Sequence, residues 1–579
     1  MKSNRPKLYL NLYWHMHQPD YRDTVSNEYV LPWTYLHAIK DYSDMAYHLE
    51  ANSKARVSFN FVPILLEQLQ DYTEQFSKKS LRDPLLALLV HEDIDNLSVE
   101  ECQLVVTSCF KSHHEKMLSP FPHYQRLLSI YQQVEQGACQ DPFSYLSGQY
   151  KADLLVWYHL AWCGESLRRN NKVIQELMAK GALFSLSDRQ QLFSVIAETI
   201  AGLIPRYKAL MQRKQIEISS TPYYHPILPL LLDFKTTLDA MPYAPLPKYS
   251  KYVGGQARAK AHVVAAKTYH ERLFGCAPRG MWPAEGGVSE AALSLMAEQG
   301  VEWAATGQSV LVNSLLKSHL SAVDKHDYLY QPYRMTNGQQ SLLCFFRDDN
   351  LSDKIGFEYA KMHTPDAVQD FIASLENIHQ AESTEDATAK VVSVILDGEN
   401  AWEYYPYNGY YFLTELYEAL AQHPDIEMTT FSDIVDMYAS EAYADQAKTS
   451  PVLPHVAAGS WVYGTFSTWI GSKDKNLAWD LLCEAKKAFD SVLANKVLTD
   501  KQVAACERQL SVCEGSDWFW WFGDYNSSES VASFDQLYRR NLINLYTLLQ
   551  QPVPKALHTS ISTGGGNADN AGTMRRGQA

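Results

Sequence analysis

The sequence predicts a parallel α/β fold, a barrel or a relative of one, carrying a helical insertion and a helical C-terminal region. Three observations predict it. Short apolar, strand-like segments recur over the first 440 residues or so, each followed by a polar loop and then by helical periodicity. Strand signals vanish between about 77 and 210, where helical spacing takes over. From 441 onward the pattern is again mainly helical. In parallel barrels the chemistry sits in the loops after the C-terminal ends of the strands, so those loops are where reactive residues matter.

The elements follow in order. Leu8–Tyr13 is a short apolar strand that runs into the polar loop Trp14-His15-Met16-His17-Gln18-Pro19. Val57–Phe61 alternates and stops before Pro63, where helical spacing begins. Inside the insertion, Leu154, Leu155, Tyr158, Ala161 and Trp162 share one helical face. Ile216–Ser219 is a strand followed by Thr221-Pro222-Tyr223-Tyr224-His225-Pro226. Arg279–Met281 is a short extended piece before Trp282-Pro283-Ala284-Glu285-Gly286-Gly287. Ser289 caps a helix that runs to Gln299, and Gly300 stands where a helix-ending glycine belongs. Val301–Thr306 and Leu342–Phe346 are strands. Val391–Leu396 is the clearest one, β-branched and apolar as a strand buried on both faces should be, and it ends at Asp397-Gly398-Glu399. A helix carrying Leu413, Leu416, Tyr417 and Leu420 follows, then the strand Ile426–Thr430.

This order divides the chain into a catalytic barrel over 1–440, with the insertion at about 77–210, and a helical domain over 441–556. Residues 557–579, rich in Gly, Asn, Ser and Thr, read as a disordered tail.

Composition narrows the function. Of 579 residues 46% are hydrophobic and 12% aromatic, which excludes a disordered or coiled-coil chain. The net charge of −15, with no basic run, argues against nucleic acid and anionic membrane as partners and favours a neutral ligand. The longest apolar runs, Leu85–Val90 and Ile227–Leu232, are far short of the ~20 residues that span a bilayer. The N-terminal segment has no apolar signal-peptide core, and the nine cysteines are scattered without a C-x-x-C pair, so a cytoplasmic protein is expected. Nucleotide-binding glycine motifs and a G-x-S-x-G elbow are absent.

Two carboxylates stand out in post-strand loops, Glu285 and Asp397. A pair of carboxyl groups across a cleft, one ionised and one kept protonated by its surroundings, is the minimum equipment for breaking a glycosidic bond. Each acid alone would pass as a helix cap or an ion-pair partner. Glu399 and Glu403 are neighbouring acids, and Glu399 could hold a substrate hydroxyl or tune Asp397. His15 and His17, two apart on an extended segment, point to one side, and with Asp20, Asp23 and His225 they could hold a metal. The simpler reading is hydrogen bonding to substrate or core. Trp518, Trp520 and Trp521, between Asp517 and Asp524, suit the apolar face and hydroxyl rim of a sugar, and packing between domains is equally compatible.

Together these motifs resemble glycoside hydrolase family 57. His17-Gln18-Pro19 matches its first signature region, and Thr221–Pro226 the second. Gly280–Glu285 resembles the region of the glutamate nucleophile, and Leu396–Trp402 that of the aspartate general acid/base. Ser516–Ser528 with Phe534-Asp535 resembles the fifth, although Tyr525-Asn526 stands where acidic and histidine-type residues are expected. The subgroup most alike is that of α-amylase and amylopullulanase-like proteins.

The resemblance implies an incomplete (β/α)7 TIM-like barrel closed over by the helical domain, with retention of anomeric configuration on α-glucans and no metal or cofactor. Glu285 would attack, and Asp397 would protonate the leaving oxygen and then activate water or a sugar hydroxyl. Retention requires the two carboxyl groups to lie about 5–5.5 Å apart. Trp14, His15, His17, Gln18, His225, Arg347, Asp348, Glu399, Asp517 and Asp524 are expected to contact the sugar. Trp282, Trp402, Trp461, Trp518, Trp520 and Trp521 would form the walls, while Trp157 and Trp162 read as packing. α-Amylase, amylopullulanase and 4-α-glucanotransferase activities all stay open. Two readings stand beside this one: a metal-dependent carbohydrate hydrolase or deacetylase, and a noncatalytic glucan-binding protein.

Overall fold

A computed structural model describes residues 6–137, 142–337, 340–381, 389–440 and 450–566. Nine strands form one sheet: β1 Leu8–Met16, β2 Val57–Phe61, β3 Ile216–Ser220, β4 Gly280–Met281, β5 Trp303–Thr306, β6 Tyr333–Asn337, β7 Gln340–Phe346, β8 Val391–Asp397 and β9 Ile426–Met428. Seven of them run parallel in the order β7-β5-β4-β3-β2-β1-β8. The ring closes where Asp348 N–H donates to Ser393 O at 2.8 Å, beside a parallel bridge between Arg347 and Ser393. The result is a seven-stranded parallel barrel, as expected. β6 and β9 stand outside the ring: β6 is antiparallel to β7, and β9 pairs with Leu8–Leu10 of β1.

The strand segments read from sequence lie close to the observed ones, and three of the differences have a clear physical cause. β1 continues three residues past Tyr13, because Trp14, His15 and Met16 stay paired with β2. At a barrel mouth polar residues remain in the ladder, so polarity alone marks the end of a strand too early. β5 starts at Trp303, since Val301 N–H still bonds back to Met296 O at the helix end. β6 carries no apolar run and exists because the hairpin with β7 supplies its hydrogen bonds.

Side chains alternate across each strand. Inward-facing Tyr13, Trp303, Phe345 and Ile395 pack into one core cluster with Trp282 and with Phe431 and Ile434 of the helix Phe431–Ala439. The intervening Leu10, Leu12, Trp14, Cys344, Val392 and Val394 join the larger core under the surrounding helices. Two residues beyond each inward apolar position the same face carries His15 above Tyr13, Arg347 above Phe345 and Asp397 above Ile395. The site is thus the top layer of the barrel interior.

Between β2 and β3 the described chain is helical from Pro63 to Gln212. After 450 it runs through a long irregular stretch and then through the helices Lys473–Ala494, Asp500–Cys513, Asp517–Trp521 and Ser528–Leu548. The boundary expected near 441 falls outside the described residues. The tail expected from 557 is in fact folded as far as 566. Leu557 and Ile561 are buried, and the buried Asp535 carboxylate accepts the N–H groups of Ile561 and Ser562 at 2.7 and 3.3 Å. Its composition suggested disorder because it holds few apolar residues, but two of them and one carboxylate suffice to dock it. Residues 567–579 lie outside the described residues. No described helix is long and apolar enough to cross a membrane.

β4 positions Glu285 and is only two residues long, so its packing is exacting. A Cβ on Gly280 would sit 1.7 Å from the Trp303 ring, which is itself buried and hydrogen-bonded to Glu217 and Ser432. Gly280→Ala should therefore destabilise the fold by about 1–3 kcal/mol, seen as a lower urea midpoint with an unchanged slope.

Candidate active site

The C-terminal ends of the barrel strands open into a cleft of about 460 Å³. Glu285 and Asp397 both line it. They leave β4 and β8, which lie on opposite sides of the seven-stranded ring.

Glu285 sits in the left-handed region at φ 57°. A non-glycine residue pays energy to stay there, and such strain collects at functional sites. The chain around it is fixed by Trp461 N–H donating to Glu285 O at 3.2 Å and by Thr306 Oγ1 donating to Gly286 O. The Trp461 indole N–H donates to Glu285 Oε2 at 3.0 Å. Trp461 is packed edge-on by Trp282 and lies under the Arg347 guanidinium, 5.6 Å from its ring centroid.

Asp397 is the last residue of β8 and pairs with His15 across the sheet. Burial pushes its carboxyl up to about 6, against the smaller opposing effects of an Asn400 Nδ2 hydrogen bond at 2.9 Å and the charges of His17 and Arg347. Glu399 is pushed well above the usual carboxylate range by burial and by the neighbouring Asp397 charge. Its Oε1 accepts from His17 N–H and Gln18 Nε2, at 3.2 and 3.3 Å.

Three histidines stack beside these acids. His17 and His225 rings lie 3.9 Å apart, and His15 stands 5.8 and 5.2 Å from them. Asn60 Oδ1 faces His15 Nδ1 at 2.7 Å and also accepts from Thr221 Oγ1. As an acceptor it requires the proton on His15 Nδ1 and leaves Nε2 unprotonated. Burial and His17 hold His15 down to about 3, so it stays neutral at ordinary pH. His225 is likewise held well below its usual value by burial and by its two stacked neighbours.

The lid comes from the C-terminal helices. Asp517 Oδ1 accepts from His17 Nε2 at 2.7 Å, and Ser516 Oγ lies 2.8 Å from His225 Nδ1. This dipeptide is positioned by Glu514, whose fully buried carboxylate accepts from Arg258, His262 and Tyr252. Those three residues belong to the barrel side of the molecule, so one anion docks the lid onto the barrel. Trp520 and Trp521 then line the cleft, with Trp521 stacked on Phe534 at 4.6 Å. Lys111 of the insertion and Glu529 of the helical region form an ion pair at the cleft rim.

Among the expected site residues, Glu285, Asp397, His15, His17, Gln18, Glu399, Asp517, Trp520 and Trp521 line one cleft. His225 stacks on its floor, and Trp461 holds Glu285. Others are corrected. Trp14 and Trp402 pack against each other behind the wall, their N–H groups donated to Tyr417 and to Gly398 O. Trp518 was expected in the wall beside Trp520, but the segment is helical, so the two diverge, and Trp518 donates to Val512 O inside the helical region. Trp282 is fully buried below His15 and Trp461. Asp348 caps the helix Asp349–Asp353 and bonds Tyr330, away from the cleft. Arg347 is buried against Asp349 and Asp353 and acts on the site through its charge. Asp524 is exposed outside the cleft. Tyr525 and Asn526, the departure from the expected pattern, bond Lys475 and the carbonyls of Trp520 and Trp521, so they shape the lid and do not line the cleft.

Sequence reasoning missed Trp33, His37 and Trp162, which line the cleft from the chain after β1 and from the insertion. Trp162 was read as packing because it shares a helical face with Leu154, Leu155, Tyr158 and Ala161, but its helix Gly148–Trp162 is buried all round, so one face does not mark the packing side and Trp162 is left at the cleft. A signal for Trp33 and His37 existed in their i, i+4 spacing just after the first loop.

The proposed metal set is also reduced. Asp20 is bound to Arg22 and Arg508, and Asp23 caps its own loop and pairs with Asn544. Among the described residues, only His17, His225 and Asp517 bring ligand-type atoms within 4.8 Å of one another. The two imidazoles face each other as a stack and His17 Nε2 is already bonded to Asp517, an arrangement that suits hydrogen bonding better than convergence on an ion. Four buried polar atoms at this floor have no hydrogen-bond partner among the described residues: His17 Nδ1, His225 Nε2, Glu399 Oε2 and Trp282 Nε1. Buried polar groups are normally satisfied, so the cluster fits a ligand rich in hydroxyl groups or ordered water.

Asp397 has a testable signature. Its folded-state carboxyl titrates higher than in the unfolded chain, so the folded state binds the proton more tightly and loses stability as pH rises from about 4 through about 6. Asp397→Asn should raise the melting temperature at pH 7–8, and the gain should disappear below pH 4.

Comparison with known proteins agrees with this geometry. The model of the family "Glycosyl hydrolase family 57" matches residues 11–447. No curated protein matches the chain. Among solved structures, the α-amylase AmyC of Thermotoga maritima aligns over 94% of this chain and 93% of its own, with TM-score 0.56 and 13% identity. The GH57-type branching enzyme of Pyrococcus horikoshii aligns over 97% and 98%, with TM-score 0.55 and 15% identity. At these identities the likeness speaks for the fold. The family match, which spans the barrel and both carboxylate loops, shows that the chain belongs to glycosyl hydrolase family 57.

Proposed function

We propose that the protein is a cytoplasmic, retaining enzyme acting on α-glucans by double displacement. The observation that carries the reading is the asymmetry of two carboxyl groups facing one cleft. Glu285 receives an indole N–H at 3.0 Å, while burial holds Asp397 up to about 6 with no ion-pair partner in contact among the described residues. The first is equipped to be an anion and the second to carry a proton, which is the division of labour that glycosidic cleavage needs.

In the first step the Glu285 carboxylate attacks the anomeric carbon. The bond to the glycosidic oxygen breaks, and Asp397 gives that oxygen its proton. The covalent glycosyl-enzyme then reacts with water, or with the hydroxyl of a second sugar. Asp397, now ionised, takes the proton of the attacking group, and Glu285 leaves. Glu399, His15, His17 and His225 hold hydroxyl groups of the sugar, with His15 accepting through Nε2. Trp520 and Trp521 cover its apolar face and help exclude water. The amylase and branching enzyme among the structural neighbours support an α-glucan as the substrate class. A cytoplasmic location fits the cysteines: those described are all unpaired, and all but Cys276 are buried.

Glu285→Ala should abolish turnover of maltooligosaccharides and glycogen yet leave glucan binding measurable by calorimetry. Full activity in that variant would refute the assignment. Chain-length analysis of products separates hydrolysis from transfer, and the configuration of the first-formed product, read by NMR, tests retention. Since Asp397 must be protonated to act as the acid, kcat/KM should fall as pH rises through about 6.

A further inference from the structure

Outside the cleft, one stretch of the surface is built in an unusual way. Tyr404, Tyr407 and Tyr411 are exposed by 38, 58 and 42%. Among the described residues no other stretch of eight exposes three large aromatic rings. Burial is the ordinary fate of such rings, and a contiguous exposed group marks a binding surface more often than an accident of packing.

The patch is held rigidly. Tyr407, Asn408 and Gly409 are all left-handed, at φ 52, 53 and 72°. Two of the three are not glycine, so the turn persists only because its surroundings enforce it. Asn408 Nδ2 donates to the buried Asp44, and a Cβ at Gly409 would meet the Trp402 ring at 2.7 Å. Arg169 locks the rings from below. Its guanidinium lies 4.4 Å from the Tyr410 centroid and 5.1 Å from that of Tyr411, it donates to Tyr411 Oη at 3.0 Å, and Glu165 fixes it by an ion pair. The Tyr407 ring stands perpendicular to Tyr411 at 5.4 Å. Rigid rings with hydroxyl tips and a guanidinium beside them offer stacking and hydrogen bonding at little entropic cost.

The position of the patch selects its ligand. Glu403 and His113 line the cleft, and Tyr404 packs edge-on against His113 at 5.2 Å. The tyrosine loop therefore starts at the cleft rim and runs outward. We propose that Tyr404, Tyr407 and Tyr411 form an outer α-glucan-binding surface, on which a long chain whose inner part occupies the cleft stacks its outer glucosyl residues. The proposal rests on the α-glucan reading of the cleft. It predicts that polymers, but not short oligosaccharides, use the loop.

The test compares the full-length protein with Tyr407→Ala/Tyr411→Ala by affinity electrophoresis in glycogen and by kinetics on glycogen and on maltotetraose. The double variant should bind glycogen about fivefold to tenfold more weakly, the loss of roughly one stacking contact, with a correspondingly higher KM on glycogen. Its kinetics on maltotetraose should stay at wild-type values. Tyr407→Phe/Tyr411→Phe, which keeps the rings, should restore most of the glycogen affinity. Unchanged glycogen binding in the alanine variant, while the wild type acts on α-glucans, would overturn the outer surface alone. An equal loss on maltotetraose would also overturn it, by placing the effect in the cleft. A wild type that neither binds nor converts any α-glucan would overturn the reading of the cleft as well.

Discussion

The buried carboxylate of Glu514 is the contact on which the site depends. It accepts hydrogen bonds from Arg258, His262 and Tyr252, and against the upward push of burial Arg258 and His262 hold it down to about 2. An anion fully removed from water is costly unless every lone pair is used, and here four donor atoms converge on it. Such a cluster adds little net stability against an apolar substitute. Its strength is geometric, because only one docking of the helical region satisfies all of the donors at once. Two and three residues further on, that docking delivers Ser516 to His225 and Asp517 to His17. The lid tryptophans follow on the same short helix.

Below the lid, strand alternation does the corresponding work for the barrel. The inward face carries large apolar side chains up to Tyr13, Phe345 and Ile395, and the next inward positions are His15, Arg347 and Asp397. A packed hydrophobic layer therefore lies directly under the reactive groups. It keeps water out from below and raises the cost of charge on Asp397 and Glu399, both of which titrate upward because of burial. The same environment keeps His15 and His225 neutral. One physical cause, low polarity beneath a polar rim, thus prepares a proton donor and a set of uncharged hydrogen-bonding rings. The Arg347 charge is placed where it can oppose this only partly, since Asp349 and Asp353 already neutralise it.

Much of this was legible in the sequence, for identifiable reasons. β8 is mostly β-branched and apolar, interrupted only by Ser393, so its end, and with it Asp397, could be placed closely. Glu285 follows a Trp-Pro turn and precedes two glycines, a local pattern that needs no tertiary contact to recognise. The tryptophans were harder. Trp520 and Trp518 looked equivalent until helical geometry turned them apart, and Trp14 and Trp402 sit beside site residues in sequence yet behind them in space. Trp33 and Trp162 reach the cleft from segments whose own periodicity points only to packing. Asp348 and Asp524 were chosen for neighbourhood, and neighbourhood along the chain does not determine which way a side chain faces.

By itself the sequence determined the repeated strand–loop–helix alternation of a parallel fold, the two carboxyl groups at strand ends, the helical insertion and the aromatic-rich segment near 520. These follow from short-range periodicity and from residue chemistry, which are local properties. Only the tertiary structure decided which rings meet the cleft, that Asp397 carries a proton near pH 6, that the histidines stack, and that the lid is pinned through Glu514. Each of those depends on burial and on partners more than a hundred residues away, and no local pattern encodes such distances.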